Sequence, residues 1–175
     1  MKLWLLDADV IIDLLSMRLF DSLVERHDVY VATSVINEVK SHFRSYWDDR
    51  RKVLINFREQ YVDNGKVKEL SANSTEVDEY VISKMPPIWR CTIQIGEIES
   101  LAILVKETDL IFCSCDAAAI SALPFFDASE RGISIEKLIN IAGLRKVNLD
   151  AKHTETYFKQ NLLRGKKRWI ENFNK

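Results

Sequence analysis

Four carboxylates stand where apolar runs of the chain give way to helical patterns: Asp7, Glu38, Glu97 and Asp116. Brought together, such groups repel one another and resist ionising. A hard divalent cation removes that cost, and Mg²⁺ and Mn²⁺ prefer oxygen ligands while keeping bound waters. The reaction that suits such a centre is metal-assisted hydrolysis of a phosphodiester, in which charge on the phosphate is stabilised and a bound water becomes the nucleophile. His27, His42 and His153 lack ligand-like spacing, and Cys91, Cys113 and Cys115 include no CxxC pair, so zinc bound by imidazole or thiolate is not expected. Taken singly, Glu38 reads as a solvated helix residue, Glu97 as a first-turn charge and Asp116 as an N-cap. Their joint order is what points to a centre.

The elements that must position these acids follow from periodicity. The run 3–6 (LWLL) is a short buried strand ending at Asp7, followed by a helix with Asp9 as N-cap and Val10, Ile11, Leu14 and Leu15 on one face. Helical pattern continues over 17–26. A strand at 29–32 leads to a helix over 35–43, capped by Thr33–Ser34, that carries Glu38. Residues 44–61 read as a long charged helix with Tyr46, Trp47, Leu54 and Phe57 as apolar positions, and Arg50-Arg51-Lys52 as its exposed face. A turn at 63–65 precedes an edge strand at 67–70, and Asn73 or Ser74 caps a helix over 75–84 that Pro86-Pro87 ends. The helix 95–105 presents Ile98, Leu101, Ala102 and Val105 as its stripe, with Glu97 in its first turn. The strand 109–114 repeats the opening device: it runs into Asp116 and a helix over 117–123. A strand near Ile133 and a helix over 135–142 complete the body. Strands alternating with helices argue for an α/β fold with a mainly parallel sheet, whose ligands bind beyond the carboxyl ends of the strands.

Composition sets the frame. The chain has 175 residues, 47% hydrophobic and 29% charged, which suits one well-cored globular domain. No apolar run approaches the ~20 residues of a membrane span. A strand beginning right after Met1 leaves no room for a signal peptide, and the odd cysteine count fits a reducing compartment, so a cytoplasmic protein is expected. Net charge is −1, yet residues 145–175 hold nine Lys/Arg against three Asp/Glu, a balance of +6, so the body carries −7. The densest positive charge is Arg164-Gly-Lys-Lys-Arg168, on a helix expected to pack through Tyr157, Phe158 and Leu162.

The segments LLDADVIIDLL, SVINEVK, GEIESLAILVK and FCSCDAAAI, in this order, resemble the acidic motifs of PIN-domain proteins, and GEIESLAIL resembles a prokaryotic subgroup with a GE-x-E helix. The resemblance covers about residues 3–143. It implies a three-layer α/β/α fold with a mainly parallel sheet, here residues 1–145 with a helical excursion at 44–95, followed by a basic helical tail at 146–175. It implies a metal-dependent endoribonuclease using Mg²⁺ or Mn²⁺, with Asp7, Glu38, Glu97 and Asp116 as catalytic acids and Asp7, Glu97 and Asp116 as metal ligands. Many bacterial members are VapC-type toxins, so an antitoxin protein and a homodimer join RNA as expected partners, with no membrane. Ser114 matches a small hydroxyl residue common before the last acid. Asp9 departs from the usual Ser, Thr or Asn, and Cys115 stands where some members carry a further acid. Glu99 competes with Glu97, but the two point about 200° apart on a helix; the apolar stripe favours Glu97. Lys166, Lys167 and Arg168 are the expected RNA contacts.

Two rival readings stand beside this one. A nuclease-inactive PIN module would keep the fold to bind RNA or protein, and a metal-dependent cleavage assay separates it. In a haloacid dehalogenase-type phosphatase, LLDADV would supply Asp7 as nucleophile and Asp9 as acid/base. That fold wants an early glycine-containing flap, whereas the first glycine here is Gly65.

Overall fold

A computed structural model describes residues 3–87 and 92–173. Trp89 and Cys91 lie outside the described residues. The architecture is α/β: five parallel strands form a central sheet in the order β5-β2-β1-β6-β7, flanked by helices. The strands are β1 (Leu3–Leu6), β2 (Asp28–Ala32), β5 (Lys68–Leu70), β6 (Leu110–Cys113) and β7 (Gly132–Ile133). The helices are α1 (Ala8–Ser16), α2 (Phe20–Val24), α3 (Thr33–Glu38), α4 (Ser74–Val77), α5 (Ile95–Lys106), α6 (Ala117–Ala122), α7 (Ile135–Ile141) and α8 (Glu155–Phe173).

β1 is the central strand because Trp4, Leu5 and Leu6 are apolar on both faces and fully buried, as a strand covered on both sides requires. It pairs with β2 on one side (Leu3 opposite Asp28) and with β6 on the other (Leu6 opposite Cys113). The chain moves outward from β1 through β2 to β5, then returns to place β6 on the far side of β1. The order therefore reverses between β1 and β6, and the crevice beyond their carboxyl ends is the position at which such sheets bind ligands. Asp7 follows β1 there, and Ser114 and Asp116 follow β6.

Several local expectations give way to tertiary contacts. Asp7, not Asp9, caps α1: its backbone is extended and its Oδ1 accepts from Ala8 N–H at 2.7 Å. Helix does not run through 17–26, because Arg18 takes a left-handed conformation (φ 56°) that ends the turn before α2. Thr33 and Ser34 do not cap a helix over 35–43. Ala32 is the cap, Thr33 Oγ1 donates to Glu69 at 2.8 Å, and α3 stops at Glu38.

The long helix expected over 44–61 is absent. A hairpin of β3 (Ser41–Phe43) and β4 (Lys52–Leu54) stands in its place, followed by a π-helical turn at Arg58–Val62. Ser16 at the end of α1 holds this hairpin: its Oγ accepts from Phe43 N–H and its carbonyl from Tyr46 N–H, both at 3.0 Å. Phe57 and Tyr61 turn in to pack on Phe20 at centroid distances of 5.6 and 4.9 Å, while Leu54 and Trp47 face solvent. Side chains that read as one helical stripe thus divide between core and surface.

The C-terminal helix docks as expected of an amphipathic segment. Phe158 is buried, and Tyr157 and Leu162 pack against the core. α8 lies along α6. The crossing depends on Gly165, since a methyl group there would overlap the Ser121 carbonyl. No helix among the described residues is long and apolar enough to cross a membrane.

Candidate active site

Asp7 is buried (4% exposed) between two polar contacts. Its Oδ1 accepts from Ala8 N–H, and its Oδ2 accepts from Ser114 Oγ at 2.9 Å. Ser114 Oγ in turn accepts from Asp116 N–H at 3.0 Å, so one hydroxyl ties the ends of β1 and β6 together. Asp116 caps α6 with a single oxygen, Oδ1, which accepts from Ala118 and Ala119 N–H at 2.6 and 2.9 Å. Its other oxygen makes no hydrogen bond among the described residues. The sequence places these side chains here because both strands end in a residue that can cap the next helix.

α5 delivers the third acid. Glu97 is the N3 residue of a capping box with Gln94, whose N–H donates to Glu97 Oε2 at 2.8 Å. Burial pushes the Glu97 carboxyl up to about 8, and the charges of Asp7, Asp116 and Asp9 add to the rise. Burial likewise pushes Asp7 up to about 7. The hydrogen bonds from Ser114 and Ala8 oppose this, while Asp9 and Asp116 reinforce it. Asp7, Asp9, Glu97 and Asp116 therefore share one electrostatic environment.

Glu38 stands at its fringe. It ends α3, accepts from Gly96 N–H, and is raised by burial and then by Asp9. Gly96 leaves room for this contact: a Cβ there would sit 2.6 Å from Glu38 Oε1 and force that carboxylate to move.

Glu99 belongs elsewhere. Its Oε2 accepts from Ser34 N–H at 2.8 Å and from the Ser34 hydroxyl, and its Oε1 accepts from Ala72 N–H at 3.2 Å. Both oxygens pin α3 and the segment after β5 to α5. Of the two glutamates, Glu97 is the one that faces the cluster.

Sequence reasoning missed the residues around Asp13. This second buried carboxylate of α1 is 5% exposed and accepts from Lys152 Nζ at 2.7 Å and His153 Nε2 at 2.8 Å. Asp150 N–H points at His153 Nδ1, so the imidazole proton sits on Nε2. The charge of Lys152 faces Cys115, Asp13 and Asp9, which makes it the cation at the edge of the acidic cluster. A helix-period reading of α1 flags Asp13 only as a polar residue four positions from Asp9. Cys113 and Cys115 are buried free thiols, held by burial well above the ordinary thiol range.

Among the described residues, no three His, Cys, Asp or Glu side chains stand close enough to hold one ion. The donor chemistry fits a hard cation nonetheless: the cluster offers only carboxylate oxygens, and two of its members are held up by burial that bound positive charge would relieve. The tail cations separate by face. Arg168 and Arg164 line a cavity next to Ala117 and Ala118, whereas Lys166 reaches toward Glu130 at 3.8 Å. Comparison of the chain with protein-family profiles, curated proteins and solved structures found no significant match.

Proposed function

We propose that the protein is a metal-dependent endoribonuclease that hydrolyses RNA phosphodiester bonds. The observation that carries this reading is the electrostatic coupling of Asp7, Glu97 and Asp116 near the sheet's reversal point, with Asp7 and Glu97 raised by burial and by the neighbouring carboxylates. Asp7 and Glu97 accept hydrogen bonds from neutral donors, yet the charges acting on them are those of other carboxylates, and carboxyls raised in this way are candidates for a functional site. Asp7, Glu97 and Asp116 would hold Mg²⁺ or Mn²⁺, which when bound supplies charge stabilisation at the phosphate and lowers the pKa of water.

The remaining residues have roles that follow from their contacts. Ser114 fixes the Asp7 carboxylate and prevents its rotation. Glu38 and Asp9, both exposed at the edge of the cluster, would orient water. The basic run Lys166, Lys167 and Arg168 draws RNA to an acidic body. The resemblance to PIN-domain toxins extends the proposal to a cytoplasmic setting, an antitoxin partner and a homodimer.

The phosphatase reading fares worse, because a carboxyl raised by burial and engaged at both oxygens is a poor nucleophile. The deciding experiment is cleavage of a labelled RNA by the purified chain. Activity with Mn²⁺ that disappears in EDTA and in Asp7→Asn is expected. Equal cleavage in EDTA, or by Asp7→Asn, overturns the proposal.

A further inference from the structure

A cavity of about 610 Å³ opens between the start of α6 and the inner face of α8. Ala117 and Ala118, the residues directly after Asp116, form part of its wall, so the cavity adjoins the start of the helix that Asp116 caps. Arg164 and Arg168 face them from α8, one turn apart and so on the same side of the helix. Glu171 lines the same cavity one turn further on.

The helix bearing the arginines is held firmly. Gly165 lets α8 approach the α6 backbone, and Ser121 Oγ donates to the Asn161 carbonyl at 3.0 Å. The Arg164 guanidinium donates to the neutral amide of Asn161, at 3.3 Å, and its charge is not neutralised by that bond. Two guanidinium side chains on one face of a docked helix, both lining the cavity, are suited to a phosphate, which their planar donors match.

We infer that Arg164 and Arg168, facing the cavity beside Asp116, form the subsite that anchors an RNA phosphate neighbouring the bond to be cut. The inference rests on the nuclease reading for the identity of the ligand, and on the cavity for its place. It divides the basic run by geometry: Arg168 belongs to the subsite with Arg164, which was not among the expected RNA contacts, while Lys166 turns to the opposite side. A rival anchor is a larger hollow of about 850 Å³ around Arg18, Arg44 and Lys146. It lies at the other end of α1, a nine-residue helix about 14 Å long, and so is remote from Asp7 and Asp116.

The test is binding of a fluorescein-labelled single-stranded RNA octamer to the full chain, followed by anisotropy in EDTA so that nothing is cut. Arg164→Gln/Arg168→Gln is expected to raise Kd at least roughly tenfold and to flatten the salt dependence by about 1.4, at roughly 0.7 for each phosphate no longer neutralised. Arg18→Gln/Lys146→Gln removes the same charge and is expected to change Kd less than about twofold. Arg164→Lys/Arg168→Lys should recover the salt slope but not the full affinity, because the planar fork is gone. All substituted positions are exposed, and far-ultraviolet circular dichroism checks that each variant is folded. Equal weakening by the two Gln pairs, no weakening by the Arg164/Arg168 pair, or no RNA binding by the wild type overturns the subsite. RNA that binds through the arginines yet is never cut with Mn²⁺ keeps the subsite and removes the nuclease reading. RNA cut with Mn²⁺ at the same KM by the wild type and by Arg164→Gln/Arg168→Gln does the reverse.

Discussion

Asp7 and Asp13 sit six residues apart at the cap and in the body of one helix, and both are almost fully buried. Their chemistry is opposite. At Asp7, burial dominates, and the nearest charges are other carboxylates, so the acid is raised to about 7. At Asp13, burial also works to raise the acid, but His153 and Lys152 outweigh it and hold the carboxyl below its ordinary range. Depth is the same at the two sites; the partners are not. A buried acid paired with the Lys152 ammonium and the His153 N–H is a rivet between α1 and the segment before α8. A buried acid among acids is unstable as it stands, and is suited to binding positive charge.

Asp7→Asn should produce the largest effect if the contrast is functional. RNA cleavage should fall by roughly 10²-fold or more, since Lewis-acid stabilisation is worth several kcal/mol. The same substitution should raise the melting temperature in EDTA, because it relieves repulsion. Cleavage and thermal melts on one preparation check both halves, and a lower melting temperature with intact cleavage would break the contrast.

The pH dependence of stability comes next. A carboxyl raised in the folded state is bound to its proton after the unfolded chain has lost its own. The metal-free protein should therefore lose stability as pH climbs from about 4 to about 7 on account of Asp7, and up to about 8 on account of Glu97. For Asp7 the loss is about 4 kcal/mol or less. Asp13 runs the other way: its contribution is present above the ordinary carboxylate range and is lost as pH falls. Denaturant melts across pH 4–9 in EDTA should slope downward for wild type, and Asp7→Asn should flatten that slope.

Asp13→Ala should cost about 3 kcal/mol, as removing one member of a buried ion pair does. The reason is that Lys152 and His153 lose their partner while His153 stays fully buried. Its effect on cleavage per folded molecule should be small beside that of Asp7→Asn. Urea titration with an activity assay at matched folded fraction separates these outcomes.

The smallest effect belongs to Ser114→Ala, about 1 kcal/mol, since it removes one hydroxyl that bridges Asp7 and Asp116 N–H. The Asp7 carboxyl should then titrate higher, because a hydrogen bond that favours its charged form is gone. A carboxyl chemical-shift titration of Asp7 reads this directly, and an unmoved or lowered pKa would mean that Ser114 does not tune it.

Much of this was legible in the chain. LWLL and LIFC read as buried strands, and Asp116 reads as the cap of the helix that follows, whereas at the first strand the cap is Asp7 and not the expected Asp9. Helical geometry shows that Glu97 and Glu99 cannot share one site, and register with the apolar stripe favours Glu97. The edge strand at β5 and a cap at Asn73 or Ser74 also lie within reach of local rules, and the parallel sheet follows from the alternation of strands and helices.

Other features were decided only by the folded whole. The hairpin at 41–54 is anchored by two hydrogen bonds to Ser16 of another element, and no periodicity records that. The fate of Asp13 depended on Lys152, almost 140 residues away, as the cavity face of Arg164 depended on Gly165 meeting Ser121. Local backbone preferences act within a few residues and are written in order along the chain. Burial and Coulomb interaction act through space, so whether an acid becomes a rivet or a ligand is settled only when distant segments meet.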